Sequence, residues 1–139
     1  MRKLLFWRLA VTFSVDLKVR DYECDLQGIV NNSVYFNYLE HARHEFLLSK
    51  GVDFAELAAR NVNLVVIRSE VDYKSSLKPG DMFTVEVKAE RVSKLRSQFL
   101  QKIVRKADGK LMLNAVITWT SVNEHSRPYL AEEISCLFD

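Results

Sequence analysis

Asp25 stands seven residues before Asn32, with Gly28 between them and Asn31 alongside. A carboxylate can attack an electrophilic carbon or take a proton from water. An Asn pair ahead of a long amphipathic pattern marks a helix start, where unpaired N–H groups and the positive end of the helix dipole face outward. Aimed at a carbonyl oxygen, such a terminus stabilises the negative charge that develops when the carbon is attacked. The residue types therefore suit acyl transfer, provided the chain holds carboxylate and helix start together. The plainer readings are an Asx-turn for Asp25, a simple turn for Gly28 and a cap for Asn31.

Other reactive side chains form weaker patterns. Glu40, His41, Arg43 and His44 make one polar cluster. Glu40 and His44 are i, i+4 neighbours, but a metal site needs further ligands that the spacing does not supply, so an ion-pair network is expected and no metal. Cys24 and Cys136 match neither a zinc spacing nor a disulfide framework, and a reducing, cytoplasmic setting is the default. Cys24 adjoins Asp25 without a His nearby in sequence, which favours a packed thiol over a nucleophile. His125 belongs to no motif.

The elements that must position Asp25 can be read from periodicity. From Thr12 to Arg20, Phe13, Val15, Leu17 and Val19 alternate with polar residues, as in a half-buried strand. From Ser33 to Lys50, Tyr35, Tyr38, Leu39, Ala42 and Phe46 follow helical spacing, and Val34, Phe36, Leu47 and Leu48 broaden the apolar surface. Asn31 or Asn32 would cap this helix and Gly51 would end it. Asp53 to Arg60 reads as a short second helix. Val62 to Tyr73, Phe83 to Glu90, Leu95 to Lys106 and Leu111 to Val122 read as four strands in meander, the first leaving a buried region. Lys78-Pro79-Gly80-Asp81 is a turn and Asp108-Gly109 the centre of a tight hairpin. Ala131 to Leu137 reads as a terminal helical turn.

Composition bounds the rest. At 139 residues, with 48% hydrophobic and 27% charged residues, the chain fits one domain with its own core. A formal charge of +2 gives no reason to expect a nucleic-acid surface. Residues 1–11 combine a basic start with an apolar run, which Arg8 interrupts; a packing arm is expected there rather than a signal peptide or membrane span. Residues 129–139 form an extension. The expected fold is α+β, a five-stranded antiparallel sheet wrapped around one long helix. Its unpaired edge points to a homodimer with a continuous sheet, associating further into a homotetramer.

The motif Asp25-x-x-Gly28-Ile29-Val30-Asn31-Asn32-x-x-Tyr35-x-x-Tyr38-x-Glu40-x-Ala42-Arg43 resembles the hotdog-fold acyl-CoA thioesterases of the 4-hydroxybenzoyl-CoA thioesterase and YbgC type. The likeness runs from about Val15 to Val122. It implies hydrolysis of an acyl-CoA to a carboxylate and free CoA, with no cofactor beyond the CoA of the substrate. Asp25 takes the role of catalytic nucleophile or general base, and the backbone N–H of Asn32 polarises the thioester carbonyl. Gly28, Ile29, Val30, Asn31 and Tyr35 would border the substrate, although Tyr35, Phe36 and Tyr38 are read first as core. Lys94, Arg96 and the nearby Ser97 would meet the nucleotide. Some relatives use a helix Glu, a role open to Glu40. Histidines that relatives carry at the positions of Ile29 and Asn32 are absent. Acyl carrier protein is the alternative carrier, and a non-catalytic acyl-CoA-binding protein the alternative outside enzymes; a dehydratase is disfavoured because no His lies in residues 21–40.

Overall fold

The structure is a computed structural model that describes residues 12–139. The expected arm at residues 1–11 lies outside the described residues. Five strands form one antiparallel sheet: β1 (Phe13–Lys18), β2 (Asn63–Tyr73), β3 (Met82–Arg91), β4 (Ser97–Arg105) and β5 (Leu111–Val122). Two helices lie between β1 and β2: α1 (Asn32–Ser49) and α2 (Phe54–Ala59). Short 3₁₀ segments cover Asp21–Glu23 and Glu132–Phe138.

Alternation sends one face of the central strands inward: Phe83, Val85 and Val87 from β3, Phe99 and Ile103 from β4, and Leu113, Ala115, Ile117 and Trp119 from β5, all buried. The buried side of α1 carries Tyr35, Tyr38, Leu39, Ala42, Phe46 and Leu47. Tyr38 meets Phe83 at 4.8 Å between ring centroids, and Phe46 meets Phe13 at 5.7 Å and Phe99 at 6.2 Å. Gln101 is the polar pin of this interface. Its Nε2 donates to the Leu39 carbonyl at 3.0 Å, and its Oε1 accepts from Arg43 at 3.1 Å. The sheet wraps the helix, the hotdog arrangement that the broad apolar surface required. The C-terminal segment closes one end, with Ile134 and Leu137 buried and Phe138 stacked 6.3 Å from Trp119.

Three expectations need correction. The strand order is β1-β3-β4-β5-β2, so only β3, β4 and β5 form a meander. The stretch from Lys74 to Asp81 carries the chain between opposite edges, because β1 already occupies the side of β3 that β2 would need. Second, the apolar run of β2 is not buried in one protomer: Val65, Val66 and Ile67 are 37%, 50% and 46% exposed. Their strand is an edge, and its ladder to β5 slips between Val66 and Arg68. Third, β4 begins at Ser97 because residues 92–96 close a turn, with Val92 and Ser93 N–H both donating to the Arg96 carbonyl. The loop from β4 to β5 spans Lys106 to Lys110, longer than a two-residue hairpin.

Candidate active site

Residues 24–30 form a closed loop whose two feet, Cys24 and Val30, pair as an isolated antiparallel bridge. Inside it, Asp25 N–H donates to the Ile29 carbonyl at 2.9 Å, and Gly28 N–H to the Asp25 carbonyl at 3.0 Å. Gly28 takes φ +75, a left-handed value that a side chain disfavours, so the glycine is what lets the loop close. The Asp25 side chain is exposed, and its Oδ1 accepts from Gln27 N–H at 2.8 Å. The Asx-turn is therefore real, and it orients the carboxylate; among the described residues Oδ2 has no partner.

The loop runs straight into α1. Asn31 is the N-cap, its Oδ1 accepting from Ser33 N–H at 3.1 Å, which makes Asn32 the first helical residue. Asn31 N–H itself donates to the Glu23 carbonyl at 3.0 Å. Val34 N–H returns to the Asn31 carbonyl at 2.9 Å. Among the described residues the N–H of Asn32 has no hydrogen-bond partner, and the residue is exposed. A free donor at the positive end of an 18-residue helix, at the exit of the loop that bears a carboxylate, is the feature an oxyanion requires.

Loop and helix are tied together from below. Val30 is buried, and its N–H donates to the Leu77 carbonyl at 2.9 Å. Leu77 N–H in turn donates to the Tyr35 hydroxyl at 3.0 Å. Tyr35 is 3% exposed, and burial raises its hydroxyl above the ordinary phenol range, with the Leu77 N–H opposing. In the single protomer Tyr35 is thus a structural tie. Ile29 is half-buried. Cys24 is half-buried too; desolvation, then the carboxylates of Asp21, Glu23 and Asp25, push its thiol upward, away from thiolate chemistry.

The nucleotide-contacting candidates are not brought to this loop. Met82 of β3 pairs with Lys18 just before the loop, whereas Arg91 at the far end of β3 pairs with Ser97. Ten residues at about 3.3 Å each separate the two ends by roughly 30 Å. Lys94 and Arg96 are exposed in the β3–β4 turn, and Ser97 is 3% exposed at the start of β4.

A cavity of about 250 Å³ opens between α1 and β2, lined among others by Glu40, Arg43, His44, Leu64, Val66 and Trp119. Glu40 and His44 lie 3.9 Å apart, and no group of three possible metal ligands occurs among the described residues. Burial lowers the affinity of Arg43 for its proton, with Glu40 opposing. Trp119 Nε1 is buried and among the described residues has no hydrogen-bond partner. Sequence reasoning overlooked Glu23 and Leu77. For Leu77 nothing in the sequence signals the role, since its backbone carries both bonds; Glu23 was visible as an acidic residue two positions before Asp25.

A sequence profile of the thioesterase-like superfamily matches residues 19–134. The chain belongs to that superfamily. The match includes the whole Asp25–Asn32 loop, α1 and strands β2 to β5, and begins just after β1. Over 85 residues the chain is 44% identical to the acyl-acyl carrier protein thioesterase ATL3, chloroplastic, of Arabidopsis thaliana, covering 61% of this chain and 45% of that protein. The chain thus spans under half the length of that relative. It is 26% identical over 117 residues to the long-chain acyl-CoA thioesterase FadM of Escherichia coli, covering 84% and 88% of the two chains. The crystal structure of Slr0204, a 1,4-dihydroxy-2-naphthoyl-CoA thioesterase from Synechocystis, superposes with a TM-score of 0.83 over 88% of this chain and 92% of its own. At 16% identity that likeness speaks for the fold alone.

Proposed function

We propose that this chain hydrolyses acyl thioesters, with acyl-CoA as the substrate class. The observation that carries the reading is the unpartnered Asn32 N–H at the exit of the loop that presents Asp25. The thioester carbonyl oxygen would accept from Asn32 N–H, so that charge developing on it is met by the amide and the helix dipole. Asp25 then either attacks the carbonyl carbon, expelling CoA thiolate and leaving a mixed anhydride that water cleaves, or takes a proton from the water that attacks. No metal or redox group enters either route, and CoA is substrate rather than cofactor.

The acyl group would run along α1 toward the cavity, whose first α1 residue, Glu40, lies about 12 Å along the helix from Asn32. At about 250 Å³ the cavity is smaller than most ligand pockets, and the exposed edge of β2 forms one wall. A second copy pairing along β2 would complete it, giving the continuous sheet of a homodimer. Lys94 or Arg96 would then reach the phosphates of a bound CoA from another subunit, since their own Asp25 is too distant.

A second reading concerns the carrier. The likeness to ATL3 and the exposed Arg91, Lys94 and Arg96 favour acyl carrier protein, an acidic partner. Thiol release measured over matched acyl-CoA and acyl-carrier-protein substrates, at low and high salt, separates the two. Acyl-CoA turnover that matches or exceeds the carrier-protein rate supports the first. A carrier-protein preference that collapses with salt supports the second. Binding of acyl-CoA with no thiol release on either carrier contradicts both.

A further inference from the structure

Glu23 ends the 3₁₀ turn just before the loop and is 9% exposed, an unusual place for a carboxylate. Its Oε1 accepts two hydrogen bonds, from Arg20 N–H at 2.8 Å and from the Tyr38 hydroxyl at 2.9 Å. Its main-chain carbonyl accepts from the N-cap residue Asn31. Tyr38 is 5% exposed and packed against Phe83, so it can bring its hydroxyl to few other partners. Burial, then the bond to Glu23, push that hydroxyl far above the ordinary phenol range, and it remains a donor at every working pH. One residue thus joins the exit of β1, the foot of the loop at Cys24 and the second turn of α1.

We propose that Glu23 is a positioning residue: its carboxylate, held by Tyr38, sets the Asp25 carboxylate at its working distance from the Asn32 N–H. The inference rests on the roles given to Asp25 and Asn32 above. Asp25 itself is exposed and, among the described residues, bonded only within its own loop. What holds the loop against α1 on the Cys24 side is Glu23; the Val30 side has Leu77. Cutting the side-chain tie leaves the Cys24 side held, among the described residues, only by the bond from Asn31 N–H to the Glu23 carbonyl. The loop can then shift, and a displacement of about 1 Å can cost on the order of a hundredfold in rate. Glu23 does not touch substrate, because it is buried and its Oε1 is already committed to two donors. What the position requires is an acceptor, which a glutamine side chain also supplies.

The test is steady-state thiol release from the best-cleaved thioester, with thermal melts as a check on folding. Glu23→Ala and Tyr38→Phe are expected to lower kcat by about tenfold or more with KM within about twofold, and Glu23→Gln to restore kcat to within about threefold of wild type. In an Asp25→Ala background, Tyr38→Phe is expected to leave the residual rate unchanged, because the tie acts through Asp25. Should Glu23→Ala fail to fold, Tyr38→Phe, which removes a single oxygen, carries the comparison. Unchanged kcat in Tyr38→Phe and Glu23→Ala, a loss seen only in KM, or a loss that persists in the Asp25→Ala background overturns the inference. If Asp25→Ala has by then lowered turnover to a small residual rate, the thioesterase reading survives that result. Full turnover in Asp25→Ala removes both.

Discussion

Asp25 and Cys24 are neighbours with opposite prospects. The Asp25 carboxylate is exposed and among the described residues keeps one oxygen unpaired, while the Cys24 thiol is half-buried and raised by desolvation and by four carboxylates, Asp21, Glu23, Asp25 and Asp81. A neutral thiol is a weak nucleophile at neutral pH, so Cys24→Ser is expected to keep wild-type kcat. A loss beyond about tenfold would reassign the chemistry to the sulfur. Asn31 makes a separable contribution. Its side chain caps α1, so Asn31→Ala is expected to lower stability by about 1 kcal/mol in a denaturant melt, and Asn31→Asp to restore it. Unchanged stability in Asn31→Ala would mean that the cap is idle. At this scale the sequence was informative where side chains carry the role, as at Asp25, Gly28 and Asn31. It was silent on Leu77, whose amide and carbonyl do the work, because a backbone bond between distant residues leaves no trace in residue type.

At the scale of elements, the loop depends on the conformation of Gly28. An added Cβ meets nothing within 4 Å, so any cost of Gly28→Ala comes from the positive φ alone. That cost is about 1 kcal/mol, and relief of it by reshaping the loop would move Asp25. The β4–β5 hairpin offers an independent check on the electrostatics. Two bonds from Arg105, with help from Lys110 N–H, hold the Asp108 carboxyl down at about 2, against an ordinary 3.8. A folded value below the unfolded one means the stabilisation is full above about pH 4 and is lost as the pH falls toward about 2. The melting temperature of Asp108→Asn should therefore fall less steeply than that of wild type across this window. Parallel curves would show the pair to be inert. Periodicity made α1 and the strands legible, since each buries one face. It could not reveal that β2 crosses to the far edge, because an apolar strand reads alike whether its cover is its own core or a second chain.

For the whole molecule, the Val65-Val66-Ile67 run exposes three consecutive apolar side chains on an edge strand. Its pairing with a second copy would close the cavity beside α1 and offer another subunit's Lys94 and Arg96 to the substrate. Ile67→Lys, at the residue the β2–β5 ladder skips, is expected to yield a folded monomer by light scattering and to depress turnover. A variant that stays dimeric with full activity would place the interface elsewhere. The central claim is that the Asp25 carboxylate performs the chemistry beside the Asn32 amide. Its most direct test is kcat for Asp25→Asn, because the amide oxygen can still accept from Gln27 N–H and preserve the loop. The expected result is a fall of about a hundredfold to ten-thousandfold with an unchanged melting temperature. Full turnover by Asp25→Asn on every thioester that the wild type cleaves would contradict it.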